Sequence, residues 1–272
     1  MRNYDRIFAV GDIHGFPYRF FKKLDKEAIT TRDLVILLGD ACLNYFIDER
    51  DKDLKKLFSR YPCTFLVIQG NHEKPAWHLL DTYSPRLWHG DFVYYEFDYP
   101  NILFAGSSGV FKINGKFFAT LGGAYSVDAT LRIPWETMKR ARKILANKSL
   151  YSADECDTAE VVSRCNRIWF EDEQTTPMEK KQAEAYFDFL EWRGVDFVLS
   201  HTCPLKYVPT EVFLPSVDQS TVDNSMEKWL DSIEEKLSYK KWLCGHYHVS
   251  KKIDKLQILG IDEMVLLDGK GV

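Results

Sequence analysis

The sequence lacks several features that would assign a class of protein at once. No apolar run approaches the ~18 residues of a membrane-spanning helix, and residues 1–5 lead into a short strand without the apolar region of a signal peptide. Internal repeats, low-complexity tracts and linkers are also missing from its 272 residues. We therefore expect a single domain over residues 1–272, located in the cytoplasm and not bound to a membrane.

Paired cysteines and an excess of basic charge are missing as well. The six cysteines include no CxxC pair and show no regular spacing, which indicates reduced thiols rather than a disulfide framework. Lys and Arg number 36 against 40 Asp and Glu, so the formal net charge is −4. Because a long nucleic-acid duplex is normally bound by a basic surface, we do not expect such a duplex as a partner.

Three continuous apolar segments alternate with helical patterns in the N-terminal part of the chain. The predicted strands are residues 6–10, 34–38 and 63–69, and the predicted helices are residues 17–27 and 48–60. This alternation favours an α/β fold in which helices cover a parallel sheet on both faces. Each strand is followed by glycine and polar residues, and ligands of open α/β sheets bind at these carboxyl ends.

The middle of the chain is less regular. Four short strands are predicted at residues 92–97, 102–105, 110–113 and 116–121, and we expect them to form the edge of a second, antiparallel sheet. The next segment begins with Gly122-Gly123-Ala124-Tyr125-Ser126 and continues through a helical piece at about 134–145 into a polar, acidic stretch. We interpret residues 123–170 as an insert that forms a mobile lid over the site, with a solvated surface insert as the alternative.

The C-terminal part returns to alternating elements. Helices are predicted at residues 176–192 and 224–237, and apolar strands at 195–200 and 241–244, with closing strands within 253–267. The first of these strands ends at His201 and the second at Gly245-His246-Tyr247-His248. The polar residues after these strands are further candidates for a site at the sheet edge.

Five of the seven histidines directly follow predicted strands, beside Asp, Asn or another His. The candidate donors are Asp12, His14, Asp40, Asn71, His201, His246 and His248. The spacing Asp12-x-His14 would send both side chains to one side of an extended chain, and His246-x-His248 repeats it. Two carboxylates, one amide oxygen and four imidazoles are too many ligands for one ion. They suit two divalent metals such as Mn, Fe, Zn or Ni, about 3.5–4 Å apart if Asp40 is shared.

The order of these blocks resembles the calcineurin-like metallophosphoesterase superfamily, in its bacterial or phage type without an assigned substrate. The matching blocks are Gly11-Asp12-Ile13-His14-Gly15, Gly39-Asp40, Gly70-Asn71-His72-Glu73, His201 and Gly245-His246-Tyr247-His248. The resemblance implies two packed mixed β-sheets flanked by helices, a four-layer sandwich. It also implies that Asp12, His14 and His248 hold one metal, that Asn71, His201 and His246 hold the other, and that Asp40 bridges them. Manganese is the favoured metal.

The resemblance further implies a hydrolase that acts on phosphate esters. Two cations lower the pKa of a bridging water, and the resulting hydroxide attacks the phosphorus. His72 would face the substrate as the general acid or as a clamp on a phosphate oxygen. Asn71 would also contact the phosphate.

One departure from the family pattern weakens the interpretation as a protein Ser/Thr phosphatase. That branch carries an Asp and an Arg three and four places after the second-motif Asp, where this sequence has Leu43 and Asn44. Arg132, which follows the glycine-rich segment, and Asn44 are our candidates for the missing phosphate contacts.

Several functions remain open at this point. The expected substrate is a phosphorylated small molecule, a nucleotide or a phosphoprotein. A nuclease or nucleotide phosphodiesterase is the main alternative to a phosphomonoesterase. A catalytically silent metal-binding scaffold would be expected to lose His72 or a ligand, and all of these residues are present.

Overall fold

The N-terminal apolar strands are buried on both faces. In the computed structural model, which describes residues 2–269, strand β1 (Arg6–Val10) places Ile7 and Ala9 in one buried apolar cluster. It places Phe8 and Val10 in another cluster on the opposite face. Side chains alternate between the two faces of a strand, so a continuous apolar run is what a doubly covered strand requires.

A seven-stranded sheet is formed within the described residues. Its strands in spatial order are β15 (Met264–Gly269), β1, β2 (Asp33–Leu37), β3 (Thr64–Val67), β6 (Ile102–Ala105), β5 (Asp91–Tyr95) and β4 (Ser84–Trp88). Strands β1, β2, β3 and β6 run parallel. Strand β15 pairs antiparallel with β1, β5 pairs antiparallel with β6, and β4 pairs antiparallel with β5. The parallel centre agrees with the prediction from the alternating pattern.

A six-stranded sheet packs against the first within the same described part of the chain. Its strands in spatial order are β13 (Lys251–Ile253), β14 (Leu256–Ile258), β12 (Tyr239–Cys244), β11 (Val195–Ser200), β8 (Lys116–Leu121) and β7 (Ser108–Ile113). Only β7 and β8 form the expected antiparallel edge; β5 and β6 instead complete the first sheet. The reason is burial: Ile102 and Phe104 of β6 face one apolar cluster and Leu103 and Ala105 the other, so β6 needs cover on both faces.

Helices lie outside both sheets and complete a four-layer sandwich, which confirms the predicted fold class. The α-helices of the described residues are α1 (Tyr18–Lys26), α2 (Glu49–Phe58), α3 (Trp135–Ala146), α4 (Ala153–Ser163), α5 (Pro177–Phe189) and α6 (Ser225–Glu234). Phe20 of α1 and Phe58 of α2 pack on the first sheet. Phe187 of α5 and Leu230 of α6 pack on the second. Apolar side chains of the two sheets meet in the central layer.

The segment between β8 and α5 has more regular structure than its composition suggested. Helices α3 and α4 pack on each other, and a two-stranded sheet of β9 (Ile133–Pro134) and β10 (Ile168–Trp169) lies at their base. Helix α4, which was not predicted, begins with a capping box of Ser152 and Glu155, and that Ser-x-x-Glu pattern is present in the sequence. The role of the segment as a lid stays a prediction.

Among the described residues, no helix is both long and apolar enough to cross a membrane. The six cysteines, all of them within residues 2–269, form no disulfide with one another.

Candidate metal centre

The candidate donors lie where the carboxyl ends of the two sheets meet. Asp12, Asp40 and Asn71 follow β1, β2 and β3 of the first sheet. His201 follows β11 of the second sheet, and the His246-Tyr247-His248 segment follows β12. Parallel neighbours end at the same edge of a sheet, so the stacking of two sheets brings donors that are remote in sequence into one cluster.

The local backbone at these residues is not extended, contrary to the expectation from the Asp-x-His and His-x-His spacings. His14, Asp40, His246 and His248 have positive φ angles of 51°, 49°, 69° and 56°. Such left-handed conformations cost about 1–3 kcal/mol each in a non-glycine residue and cluster at functional sites. The side chains therefore converge because the chain turns sharply after each strand.

Two glycines allow the carboxylates to approach the neighbouring backbone. A Cβ atom on Gly70 would lie 2.1 Å from Oδ1 of Asp40, and one on Gly245 would lie 2.2 Å from Oδ1 of Asp12. The same Oδ1 atoms accept hydrogen bonds of 2.9 Å from the backbone N–H groups of His72 and His246, respectively. Each carboxylate is thus held through Oδ1.

The first donor group consists of Asp12, His14 and His248. Oδ2 of Asp12 lies 3.1 Å from Nε2 of His248 and 3.6 Å from Nε2 of His14. The two Nε2 atoms are 2.6 Å apart. These are three ligand atoms of the types that divalent metals prefer, close enough to share one ion.

The second donor group consists of Asn71, His201 and His246. Oδ1 of Asn71 lies 2.8 Å from Nε2 of His201 and 3.1 Å from Nδ1 of His246. The other ring nitrogen of His201, Nδ1, is 2.7 Å from the carbonyl oxygen of Leu38, which can only accept. In neutral His201 the proton therefore sits on Nδ1, and Nε2 presents its lone pair to Oδ1 of Asn71.

Asp40 lies between the two groups. Its Oδ1 is 3.5 Å from Nε2 of His201, and its Oδ2 is 3.7 Å from Nδ1 of His14. Oδ2 is also 3.7 Å from Nε2 of His72, so His14, Asp40 and His72 form a third set of potential ligand atoms.

Burial and mutual charge shape the protonation of this cluster. Burial alone would raise the pKa of Asp40, but the charges of His72, His201 and His14 outweigh it and leave the pKa below its ordinary value. Burial lowers the pKa of His246 to about 3, and the neighbouring His201 adds to that effect. Ionised carboxylates and neutral imidazoles are the forms that bind metal, whereas the hydrogen bond to Asp12 raises the pKa of His248 and favours its protonated form.

These residues fit a pair of divalent ions. Oδ2 of Asp12 is buried and receives no well-directed hydrogen bond from residues 2–269, an unfavourable state for a carboxylate oxygen unless a cation is near. The facing lone pairs of His201 and Asn71 likewise repel each other unless a cation lies between them. The donor set of carboxylate, imidazole and amide oxygen matches Mn, Fe, Zn or Ni.

Ser126 controls the orientation of Asn71, a relation that no sequence pattern indicated. Nδ2 of Asn71 donates to Oγ of Ser126 over 2.7 Å, which turns Oδ1 towards the two histidines. The backbone N–H of Ser126 donates in turn to Oε1 of Glu173 over 2.7 Å. The insert thereby supports the second donor group through the hydrogen bond between Ser126 and Asn71.

We expect Ser126→Ala to weaken manganese binding by about 10–100-fold, since loss of a supporting hydrogen bond frees the Asn71 amide to rotate. Titration of metal-free protein with Mn²⁺ measures this affinity. Ser163→Ala is the matched control, because Ser163 lies in helix α4 and its hydroxyl donates to the carbonyl of Glu160, away from the donor cluster. Equal affinities in the two variants would rule out the supporting role.

Arg132 reaches the centre from the insert. Its Nη2 lies 3.4 Å from Nε2 of His72, and Asp128 accepts from Nε and Nη2 over 2.7 Å each. Its Nη1 donates to the hydroxyl of Tyr45 over 3.2 Å, and that hydroxyl accepts from the backbone N–H of Ile168 over 2.8 Å. The guanidinium is therefore fixed beside His72. No sequence signal pointed to Tyr45.

The structure does not bring Asn44 into the site, so its predicted phosphate contact gains no support. Its side chain is buried, donates to the carbonyl of Lys74 over 3.3 Å and accepts from the hydroxyl of Tyr83. Lys55 donates to that same hydroxyl over 2.7 Å. Asn44 thus links the loop that follows β2 to the loop that follows β3.

A cavity of about 1100 Å³ opens at the cluster. It is lined by residues of the first and second motif loops, by the insert around Tyr125 and Arg132, and by the segment between β11 and α6. Ligand pockets of several hundred Å³ suffice for drug-sized molecules, so the cavity has room for much more than a phosphate group.

The fold and the donor cluster define a class of protein: a double-sheet α/β protein whose meeting strand ends carry residues that could hold divalent metals. The sequence profile of calcineurin-like phosphoesterases matches residues 5–250, and the chain belongs to this family. Family membership and the Asp/His cluster make it a metal-dependent phosphoesterase.

Among solved structures, the crystal structure of a phosphopantetheinyl hydrolase from Mycobacterium tuberculosis is similar to this chain. The two share 11% sequence identity with a TM-score of 0.49, over 95% of this chain and 91% of that chain. No curated protein matched the chain.

Proposed function

We propose that the chain hydrolyses phosphate esters of small molecules at a dinuclear centre, with manganese as the favoured metal. The main support is the position of the Asp40 carboxylate, whose two oxygens face His201 on one side and His14 on the other. Asp12, His14 and His248 would hold one ion, and Asn71, His201 and His246 the other. When bound, two such ions activate water at neutral pH and neutralise charge on the phosphate.

His72 is proposed as the general acid that protonates the leaving oxygen. Burial lowers the pKa of His72, so the imidazole is mostly neutral before substrate binds. A phosphate bound beside it adds negative charge, which favours the protonated form. Nε2 would then deliver its proton to the ester oxygen as the bond to phosphorus breaks.

Arg132 is proposed to hold a non-bridging phosphate oxygen. Asp128 accepts from Nε and Nη2 and Tyr45 accepts from Nη1, while the second N–H of Nη2 is directed at the side of His72 where the phosphate would lie. A fixed guanidinium loses little freedom when it binds an anion, which makes it an effective phosphate ligand.

We expect Arg132→Ala to reduce kcat/KM by about 100-fold and to weaken inhibition by inorganic phosphate, while the metal content stays unchanged. Steady-state kinetics with phosphate as the inhibitor, combined with elemental analysis, measures both effects. The matched control is Arg164→Ala, because Arg164 also lies in the insert but its exposed side chain pairs with Glu160. If both variants behaved like the unmodified protein, Arg132 would have no phosphate contact.

The reaction class is tested by measuring activity with each of several divalent metals against a panel of phosphate esters. The panel contains an aryl phosphate, a cyclic nucleotide, a dinucleoside polyphosphate, a phosphopeptide and single-stranded DNA. Hydrolysis of the aryl phosphate that depends on added metal is the expected result. Turnover confined to DNA or to the cyclic nucleotide would favour the nuclease or nucleotide phosphodiesterase alternative, and turnover confined to the phosphopeptide a protein phosphatase.

A further inference from the structure

The segment between β11 and α6, residues 205–224, covers one side of the cavity without forming a strand or a long helix. It consists of three short 3₁₀ turns, Leu205–Tyr207, Thr210–Val212 and Gln219–Thr221. Polar contacts attach it at both ends: Lys206 pairs with Glu234, and Gln174 donates to Asp223 over 3.0 Å. The segment is thus held in place beside the metal centre.

Five apolar side chains of this segment face the cavity instead of the core. Val212, Phe213, Leu214, Val217 and Val222 line the cavity, and none of them belongs to an apolar core cluster of the described residues. Leu214 is 58% exposed. Apolar surface left in contact with water is unfavourable by roughly 25 cal/mol per Å², so a ligand that covers it gains that free energy.

Two further apolar residues border the same cavity from other parts of the chain. Phe16, in the first motif loop, is 83% exposed, and Val127, in the insert, is 42% exposed. Exposed apolar patches that surround a polar site mark ligand-binding or interaction surfaces. The apolar rim therefore belongs to the mouth of the metal centre and not to a separate face.

We propose, on the basis of the function proposed above, that the substrate is a phosphate ester of a large apolar alcohol, either aromatic or long-chain. Its organic group lies on the 212–222 segment while its phosphate lies at the metal centre. The cavity is continuous from one to the other and holds about 1100 Å³. Hydroxyl groups of a sugar or other polyol that lay against Phe213, Leu214 and Val217 would lose water without gaining hydrogen bonds there, which is costly.

The first experiment compares ethyl, butyl, hexyl and octyl phosphates, their methyl diesters and glycerol phosphate with the manganese-loaded protein, by release of product. We expect kcat/KM to rise about two- to fourfold per methylene group until the apolar surface is covered, because each buried methylene contributes about 0.8 kcal/mol. Glycerol phosphate should fall below the short alkyl esters. A flat chain-length profile with measurable hydrolysis would overturn the substrate class and leave the reaction class intact.

Binding of the corresponding alkylphosphonates, which cannot be hydrolysed, separates the two proposals. If the affinity measured by calorimetry rises with chain length, the apolar subsite is supported. If no ester is hydrolysed in the same case, only the proposed reaction is contradicted. Affinity that is independent of chain length contradicts the subsite.

Substitutions in the segment provide the structural test. Phe213→Ser combined with Val217→Ser should flatten the chain-length profile, because both side chains line the apolar surface. Leu150→Ser is the matched control, because Leu150 is an equally apolar residue of the insert, 77% exposed and outside the cavity lining. A chain-length preference that survived the double substitution would overturn the assignment. A flat chain-length profile would also overturn it if the protein co-sedimented with phosphatidylcholine vesicles and the double substitution abolished that binding. The apolar surface would then be assigned to a membrane.

Discussion

Asp40→Asn should leave the protein folded but without its full metal content, and should lower kcat/KM by at least about 1000-fold. The carboxylate has one oxygen towards each donor group, whereas an amide offers one neutral oxygen and a donor in place of the second. Loss of metal removes several kcal/mol of charge stabilisation in the transition state, and 1.36 kcal/mol corresponds to tenfold in rate. Elemental analysis of manganese-loaded protein and steady-state kinetics measure the two effects together.

The opposite end of the same strand supplies a matched control. Asp33 is buried at the start of β2, where Arg6 donates to its carboxylate over 2.8 Å. Asp33→Asn should cost about 2 kcal/mol of stability through the weakened charge-assisted hydrogen bonds, with metal content and kcat unchanged. Two metals per chain in the Asp40 variant would contradict the bridging role.

His72→Ala should lower kcat by about 100- to 10,000-fold on an ester with a poor leaving group, while both metals stay bound. The loss should shrink to less than about tenfold with a dinitrophenyl ester, because that leaving group departs without a proton. The comparison of alkyl and dinitrophenyl phosphates therefore isolates proton transfer from phosphate binding. Arg132 also neighbours His72, but Arg132→Ala should lower the rate of hydrolysis of both esters by a similar factor.

The same variant decides between two roles that the geometry allows for His72. Its Nε2 is 3.7 Å from Oδ2 of Asp40, which places it within reach of a metal as well as of a substrate. If His72→Ala lost a metal in elemental analysis, the residue would be a ligand and the general acid would have to be sought elsewhere. His89→Asn serves as the control, since His89 is buried at a remote turn with a positive φ of 51° that asparagine tolerates.

The sequence predicts that each candidate donor follows a strand, because each comes after a strong local signal. An apolar strand ending in glycine and a polar residue marks a sheet edge, as at Gly39-Asp40 and Gly70-Asn71. The stacking of two such sheets then brings Asp12 within reach of His248, although 236 positions separate them (248 − 12). The four-layer arrangement followed from the family resemblance, and the structure confirms it.

The way in which the donor side chains converge could not be predicted from the spacing of the residues along the chain. His14 and His248 turn into the site through left-handed backbone conformations, which depend on the tight loops after β1 and β12. The phosphate contact proposed for Asn44 rested on its place after Asp40, yet Tyr83 and the Lys74 carbonyl occupy its side chain. A polar residue in a loop can serve folding or function, and only its neighbours in space distinguish the two.

Local sequence alone accounts for most of the strands, the order of the candidate metal-binding motifs and the family resemblance, because these depend on residue type and short-range pattern. Tertiary structure alone decided that Ser126 orients Asn71, that Tyr45 and Asp128 hold Arg132 beside His72, and that the 212–222 segment faces the cavity. Those relations join segments whose separation along the chain carries no periodic signal. Such contacts depend on how sheets, insert and loops pack, and packing energies are summed over many weak contacts that no local pattern reveals.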